Sequence, residues 1–286
     1  MYVLAWKQGS VKSGMKSGKA TQPKLTPAFK GKASGDTDMN YGSWVTPSST
    51  WIKNKSISSK YDGNLFTVMA GGDFKIKDNI LIGTSAGYES LDLDTDYNDG
   101  TLKDNGFTFA PYFGYTITDY LIFDIMFGYT YLNNEMDRNR SSEHIKGSYD
   151  SHRFLVSSNM NYYAIFQDLN LSAVLGYMYV SEKADAYREQ GGYNFDVDTQ
   201  NIYLSEWRFG GRAGYFINTF EPYISTAYLY DNTWNNDGGD RDELEGALGC
   251  NYYPADNLIL SFEVANSFFR DDIENTRVLF NLHFNF

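Results

Sequence analysis

Two short groups of polar residues have the types and the spacing needed to activate a water molecule. The first is Asp150-Ser-His152 and the second is Asp92-Leu-Asp94. A carboxylate beside a histidine, or beside another carboxylate, can act as a general base when it lies within hydrogen-bond reach of the reacting water. The chain has only three histidines, and His144 and His283 are not part of such a pair. These pairs make a hydrolase one hypothesis for the chain.

The two pairs resemble the Asp/His and Asp/Asp pairs of the omptin outer-membrane proteases, which act at the extracellular rim of a ten-stranded barrel. Such pairs arise easily in loops rich in aspartate, so an omptin-like rim protease is a minor hypothesis. The sequence lacks the His-x-Ser motif expected of a twelve-stranded outer-membrane phospholipase. It also lacks a Cys/His cluster and a glycine-rich nucleotide-binding motif. We therefore predict no enzyme activity and no cofactor.

Aspartates also cluster in one predicted loop, at positions 92, 94, 96 and 99. Carboxylate oxygens are the ligands that Ca²⁺ and Mg²⁺ prefer. Solvated loop charge explains the same residues more simply, so we predict no metal site.

A larger set of charged residues falls on one face of predicted strands. We expect these side chains to line a water-filled interior, to pair with one another and to fix strand register. A further hypothesis is that they contact a segment lodged in that interior. The set comprises Asp73, Asp124, Arg208, Arg212, Glu243, Glu245, Glu263 and Arg277.

Strands must position these side chains, and the clearest strand is the last one. Its outward row is Val278, Phe280, Leu282, Phe284 and Phe286, whereas Asn281 and His283 lie in the opposite row. Because successive strand residues point to opposite sides, the apolar row needs an apolar medium along one whole surface. A chain that ends on such an aromatic strand is typical of outer-membrane barrels, and we expect this row to act as their assembly signal.

The same alternation predicts twelve strands, near 42–55, 62–76, 80–92, 105–117, 120–133, 148–167, 169–182, 200–217, 220–231, 242–254, 258–270 and 275–286. Tight turns are predicted around Asp78, Asp119, Asp168, Asn218 and Asp256. Long polar connections are predicted at 93–104, 134–147, 183–199 and 232–241. Short periplasmic turns on one rim and longer extracellular loops on the other are the topology of a bacterial outer-membrane barrel.

The outward rows contain no charged residue, as shown by Leu121 to Tyr131, Leu258 to Phe268 and Phe107 to Tyr115 at every second position. A charge at mid-bilayer costs about 2 to 4 kcal/mol, so lipid contact explains this absence. The alternative is a soluble β-sandwich or lipocalin-like barrel. It is disfavoured because the opposite face is rich in Gly, Ser and charged residues, which would fill a dry core poorly.

Composition agrees with a strand-built membrane protein. Aromatic residues make up 17% of the chain, yet the mean hydropathy is −0.46. No run approaches the roughly 18 apolar residues of a spanning helix, and Cys250 is the only cysteine. The net charge of −12 argues against a nucleic-acid partner, which would require a basic surface.

Residues 1–41 form a separate basic segment, with seven Lys against Asp36 and Asp38. Recurring Gly, Ser and Pro predict an irregular linker that could thread the pore. The apolar run at the start of this segment is too short for a signal peptide. We expect either that an export signal has been removed or that the chain is the C-terminal part of a longer precursor.

Several motifs from residue 42 onward resemble the translocator (β) domain of bacterial autotransporters, the type V secretion family. They include Trp44–Lys53 as the opening strand, Ala70-Gly-Gly-Asp-Phe74, Pro111-Tyr-Phe-Gly-Tyr115, Gly210-Gly-Arg-Ala-Gly-Tyr215 and the terminal Phe286. The resemblance implies a barrel inserted into the outer membrane, among lipid and lipopolysaccharide, by the β-barrel assembly machinery. It also implies a segment in the lumen and a passenger outside.

Two main hypotheses follow for function. The leading one is a translocator that anchors in the outer membrane and carries an upstream passenger through or from its lumen to the cell surface. The alternative is a stand-alone surface protein whose acidic extracellular loops bind a partner. In both, the C-terminus is expected in the periplasm.

Overall fold

The computed structural model describes residues 41–55, 60–77, 79–96, 98–140, 143–191, 195–233, 241–269 and 273–286. The predicted irregular segment at residues 1–41 lies outside them, apart from Tyr41, which begins the first strand. Within these ranges no helix is long and apolar enough to span a bilayer.

Twelve antiparallel strands close into one barrel, which confirms the predicted all-β fold. The strands are β1 (Tyr41–Asn54), β2 (Tyr61–Lys77), β3 (Ile80–Thr95), β4 (Gly100–Thr118), β5 (Leu121–Arg140), β6 (Glu143–Phe166), β7 (Leu169–Ala184), β10 (Gln200–Tyr215), β11 (Phe220–Asp231), β12 (Asp242–Ala255), β13 (Leu258–Phe268) and β14 (Ile273–Asn285). A separate two-stranded hairpin, β8 (Tyr187–Arg188) with β9 (Asp196–Val197), lies between β7 and β10.

Each barrel strand pairs with its neighbour in the chain, and β1 closes the sheet by pairing with β14. The closing register brings Gly42 opposite Asn285 and Asn54 opposite Ile273. Because every strand has two neighbours, the barrel has no free edge, which is the condition for placing backbone polar groups in lipid.

Tight turns join the strands at one rim, close to the predicted positions. Asp119 and Tyr120 separate β4 from β5, and Gln167 and Asp168 separate β6 from β7. Gln167 and Asn218 adopt positive φ angles of 56°, a conformation that several tight-turn types use. We call this rim the turn end and the opposite rim the loop end.

The outer face is apolar around a broad belt. Phe107 is 67% exposed, Leu248 65% and Ile224 59%, although all three lie within long strands. Such exposure is costly in water and is the expected state of side chains that contact lipid.

Two of the predicted long connections are wrong, because strands continue through them. β3 runs to Thr95 and β4 begins at Gly100, while β5 runs to Arg140 and β6 begins at Glu143. In these extensions the apolar side chains Leu93, Leu102 and Met136 point inward, whereas apolar side chains of the belt point outward. The predicted loops at 93–104 and 134–147 therefore contain an inward apolar row, beside which Asp104 and Arg138 also point inward.

Apolar side chains of the extensions pack on the inner face with others from β1 and β2, contrary to the expectation of a uniformly polar inner face. We call it the loop-end cluster; its members are Ile52, Tyr61, Leu65, Leu91, Leu93, Leu102 and Met136. A second cluster around Trp44, Met69 and Tyr112 lies nearer the turn end. The inner face is thus divided into apolar clusters and charged networks.

Candidate functional site: the barrel interior

Closure of the barrel brings together inward side chains from strands far apart in the sequence. The indole Nε1 of Trp44 on β1 donates to the hydroxyl of Tyr112 on β4 at 2.9 Å. That hydroxyl in turn donates to Oδ2 of Asp73 on β2 at 3.0 Å. Asp73 therefore projects into the interior from β2 and meets side chains from other strands there.

Four of the predicted charged residues form one chain of ion pairs across β10, β12, β13 and β14. The Glu245 carboxylate accepts hydrogen bonds from Arg208 Nη2 at 3.2 Å and from Arg277 Nη1 at 3.3 Å. Arg277 Nη2 also contacts Glu263 Oε1 at 3.3 Å. The Tyr223 hydroxyl donates to the other oxygen of Glu263 at 2.9 Å. The alternating signs hold these side chains against the wall, because each charge is flanked by its opposite.

Arg212 extends this network toward the turn end. Its guanidinium carbon lies 3.6 Å from the centre of the Tyr223 ring, and its Nη2 donates to Glu221 Oε1 at 3.1 Å. Glu221 is completely buried and also accepts hydrogen bonds from three neutral donors. These are Asn170 at 2.7 Å, Asn251 at 2.8 Å and the Tyr253 hydroxyl at 2.6 Å.

Glu221 is the most enclosed charge in the network, and sequence reasoning missed it. The signal was present, because Glu221 shares its strand face with Tyr223 at a spacing of two. It was obscured by its position just after the predicted turn at Asn218.

Asp124 and Glu243 complete the predicted set, and Glu243 lines the same small cavity as Glu245 and Arg277. Asp124 accepts from Asn159 at 2.7 Å and from Asn161 at 2.6 Å. Glu243 accepts from the Ser267 hydroxyl at 2.6 Å. The eight predicted residues are therefore spread over several groups, of which the Arg208–Glu221 network is the largest.

A second ion cluster was not anticipated. Arg153 on β6 contacts Glu89 on β3 at 2.7 Å and Glu182 on β7 at 2.9 Å. The Ser151 hydroxyl donates to the same Glu182 at 2.9 Å. Arg153 and Glu182 pair across adjacent strands in the register, so a correct β6–β7 alignment would have identified them.

The candidate hydrolase pairs are not brought together. Asp92 and Asp94 lie on the outer face of β3, and Asp150 and His152 on the outer face of β6, with β4 and β5 between them. His152 Nδ1 instead shares a hydrogen bond of 2.8 Å with the Tyr129 hydroxyl.

The aspartates considered for Ca²⁺ have other partners. Asp92 faces Lys103 at 3.5 Å, and Asp96 binds Lys60 at 2.6 Å. The hydrogen bond from Lys60 to Asp96 raises the pKa of that lysine. Among the described ranges, no group of three or more His, Cys, Asp or Glu side chains is placed to hold a metal ion.

The C-terminal row lies on the outer face of β14, next to the closing seam. Phe280 packs on Phe262 of β13 with ring centroids 4.9 Å apart. Phe286 exchanges two backbone hydrogen bonds with Tyr41, at 2.9 and 3.1 Å. The last residue thus ties both ends of the barrel sheet together at the turn end.

A closed barrel with a lipid-type outer belt and a charged interior has the architecture of an integral outer-membrane β-barrel. The family model of the autotransporter β-domain matches residues 43–264. The chain belongs to that family.

Solved structures agree on the fold. The chain is similar to the translocator domain of the autotransporter NalP from Neisseria meningitidis, with 11% identity, 99% of each chain covered and a TM-score of 0.83. It is similar to the β-domain of the Bordetella autotransporter BrkA, with 15% identity, 86% of this chain and 100% of that one covered, and a TM-score of 0.74. The transport unit of AIDA-I from Escherichia coli gives 13% identity, 98% coverage of both chains and a TM-score of 0.65. No curated protein sequence matches the chain.

Proposed function

We propose that this barrel anchors in the outer membrane and carries a passenger, attached upstream of β1, through or from its lumen to the cell surface. In this proposal the turn end and the C-terminus face the periplasm, and the loop end faces outward. The basic residues 1–41 occupy the lumen.

The charge of the inner wall carries this proposal. The inner face of β10 to β14 bears five glutamates, Glu206, Glu221, Glu243, Glu245 and Glu263, against three arginines, Arg208, Arg212 and Arg277. A wall with excess negative charge attracts a cationic segment, and residues 1–41 supply seven lysines.

Geometry supports the same arrangement. Tyr41 starts β1 at the turn end, where it pairs with Phe286. The preceding residues must therefore cross the barrel if they are to reach the loop end. A distance of about 30 Å needs roughly 20 residues as a helix, or fewer when extended, so 40 residues suffice.

An epitope tag placed before Met1 tests the proposal in cells that export the full chain through an added signal peptide. We expect antibody binding and protease removal of the tag on intact cells. Reversing the charge of Lys12, Lys16 and Lys19 to Glu should reduce display, while exchanging them for Arg should not. A correctly folded barrel whose tag stays in the periplasm would contradict translocation and favour the stand-alone surface protein.

We also propose that Val278, Phe280, Leu282, Phe284 and Phe286 are read by the β-barrel assembly machinery. This proposal is supported by the position of these residues on or next to β14, the strand that closes the barrel by pairing with β1. Phe286→Ala keeps the two backbone hydrogen bonds to Tyr41, so it should lower the amount of assembled barrel in cells, whereas refolding of the purified chain into lipid should change little. Equal losses in both assays would indicate a structural role alone.

A further inference from the structure

The β8–β9 hairpin folds over the loop end and contacts inward-facing side chains. Tyr187 packs against the loop-end cluster and stacks on Tyr149 of β6, with ring centroids 4.6 Å apart. Both Tyr149 and Met136 belong to the inner face of their strands. The hairpin is therefore seated in the mouth of the barrel and does not extend into solvent alone.

Ionic and backbone contacts hold the hairpin at the wall. Arg138 Nη2 binds Glu189 Oε1 at 2.6 Å, with side-chain exposures of 15% and 4%. Lys146 and Gln190 exchange two backbone hydrogen bonds, each 2.8 Å long. Gly191 has a φ of 103°, and a Cβ there would lie 1.9 Å from the carbonyl oxygen of His144, so only glycine permits this approach to β6.

These contacts differ from those of an ordinary surface loop in that they bury a charge pair and an aromatic ring. They join the hairpin to β5, to β6 and to the loop-end cluster, and Phe195 is 61% exposed. Because β8 and β9 pair with each other in a sheet separate from the barrel, the hairpin can lift without breaking the pairing of barrel strands.

We propose that the β8–β9 hairpin is a latched cap, which covers the outer end of the barrel interior while docked and swings away from β5 and β6 when a chain passes. The covering function stands independently of secretion. The swing rests on the proposed translocator function.

Cysteine labelling tests the cover in the full chain, on intact cells. A reporter cysteine is introduced by Met136→Cys in a Cys250→Ser background, and a charged, membrane-impermeant maleimide is added outside. We expect slow labelling with the native hairpin and at least tenfold faster labelling after Tyr187→Ala or Glu189→Ala. The matched control is Asp196→Ala, which breaks the exposed Arg188–Asp196 pair of the same hairpin and should leave the rate unchanged.

Heat-modifiable migration on gels checks that each variant is folded, and Ser261→Cys, on the inner face of β13 nearer the turn end, checks that the barrel is otherwise intact. Fast labelling with the native hairpin, or equal rates in all variants, would overturn the cover. The swing is tested by Lys146→Cys with Gln190→Cys in the tagged chain. We expect display of the tag under reducing conditions and arrest when the disulfide forms.

The outcomes separate the two proposals. Equal display in both redox states overturns the swing. Absence of display even under reducing conditions contradicts the translocator function, and the labelling result still decides the cover.

Discussion

Removing the carboxylate of Glu221 should destabilise the barrel more than removing any exposed carboxylate. In Glu221→Ala the Arg212 guanidinium loses its partner inside the wall, and Asn170, Asn251 and Tyr253 each lose an acceptor. Breaking a buried ion pair by removing one partner costs about 3 to 5 kcal/mol. The neutral donors can turn partly toward lumen water, so we expect a total near the upper end of that range, about 5 kcal/mol.

The assay is equilibrium unfolding in urea of the barrel reconstituted in lipid vesicles, followed by tryptophan fluorescence. The matched control is Glu274→Ala, which removes a carboxylate paired with Lys55 at the loop end, where both side chains are about half exposed. Exposed ion pairs contribute about 0 to 1 kcal/mol. If the two variants lose the same free energy of unfolding, the buried network does not stabilise the wall and the reasoning fails.

Three further predictions use the same preparation. Gly214→Ala should lower the free energy of unfolding by about 1 to 3 kcal/mol, because the new Cβ would lie 2.5 Å from the Glu221 carboxylate. The control is Gly211→Ala, whose Cβ would meet only the Ser172 carbonyl oxygen at 3.7 Å and should lower it by less than about 1 kcal/mol. Equal urea midpoints for the two variants would contradict this. Leu248→Arg places a charge in the outer belt and should lower the free energy of unfolding in vesicles by about 2 to 4 kcal/mol, whereas Leu248→Ala should lower it less. If the arginine left this free energy unchanged, residue 248 would not face hydrocarbon. Burial and the nearby Glu189 raise the pKa of Tyr187 to about 12. The neutral phenol therefore favours the docked hairpin at every pH below about 10, and this contribution disappears as the pH rises through about 12. The check is an ultraviolet phenolate titration of the native chain, from which the titration of Tyr187→Phe is subtracted. The difference should show one group that ionises near pH 12, and a difference centred near pH 10 would contradict the burial.

The number of strands and the tight turns were predictable because both depend on local signals. Apolar residues at every second position mark lipid-facing strands, and Asp or Asn marks the reversals, as at Asp119 and Asp168. Neither signal requires knowledge of what lies across the barrel.

The strand extensions were not predicted, because their apolar residues do not continue the outward row of the belt. Leu93, Leu102 and Met136 keep the same period of two but point inward, and the outward residues beside them are typical of polar loops. The β8–β9 hairpin was missed for another reason, since strands of two residues have no usable periodicity. Its position depends on contacts such as Arg138 with Glu189, which are 51 residues apart.

Partner assignment inside the barrel was the least predictable part. Sequence reasoning placed Arg208, Glu245 and Arg277 in a common interior, but which charge meets which depends on the strand register. Glu89 and Arg153 meet across β4 and β5, and no pattern within either strand could have indicated that contact.

The reversal of the apolar face between the belt and the extensions fixes the height of the barrel relative to the bilayer. If a strand slid by one residue, Leu93 and similar side chains would face water at the loop end, and inward charges of the belt would face hydrocarbon, so both parts of the strand oppose the slip. If the barrel sank a few ångströms deeper, outward carboxylates such as Asp92 and Glu135 would enter the hydrocarbon. The sequence therefore marks where the membrane surface meets the barrel.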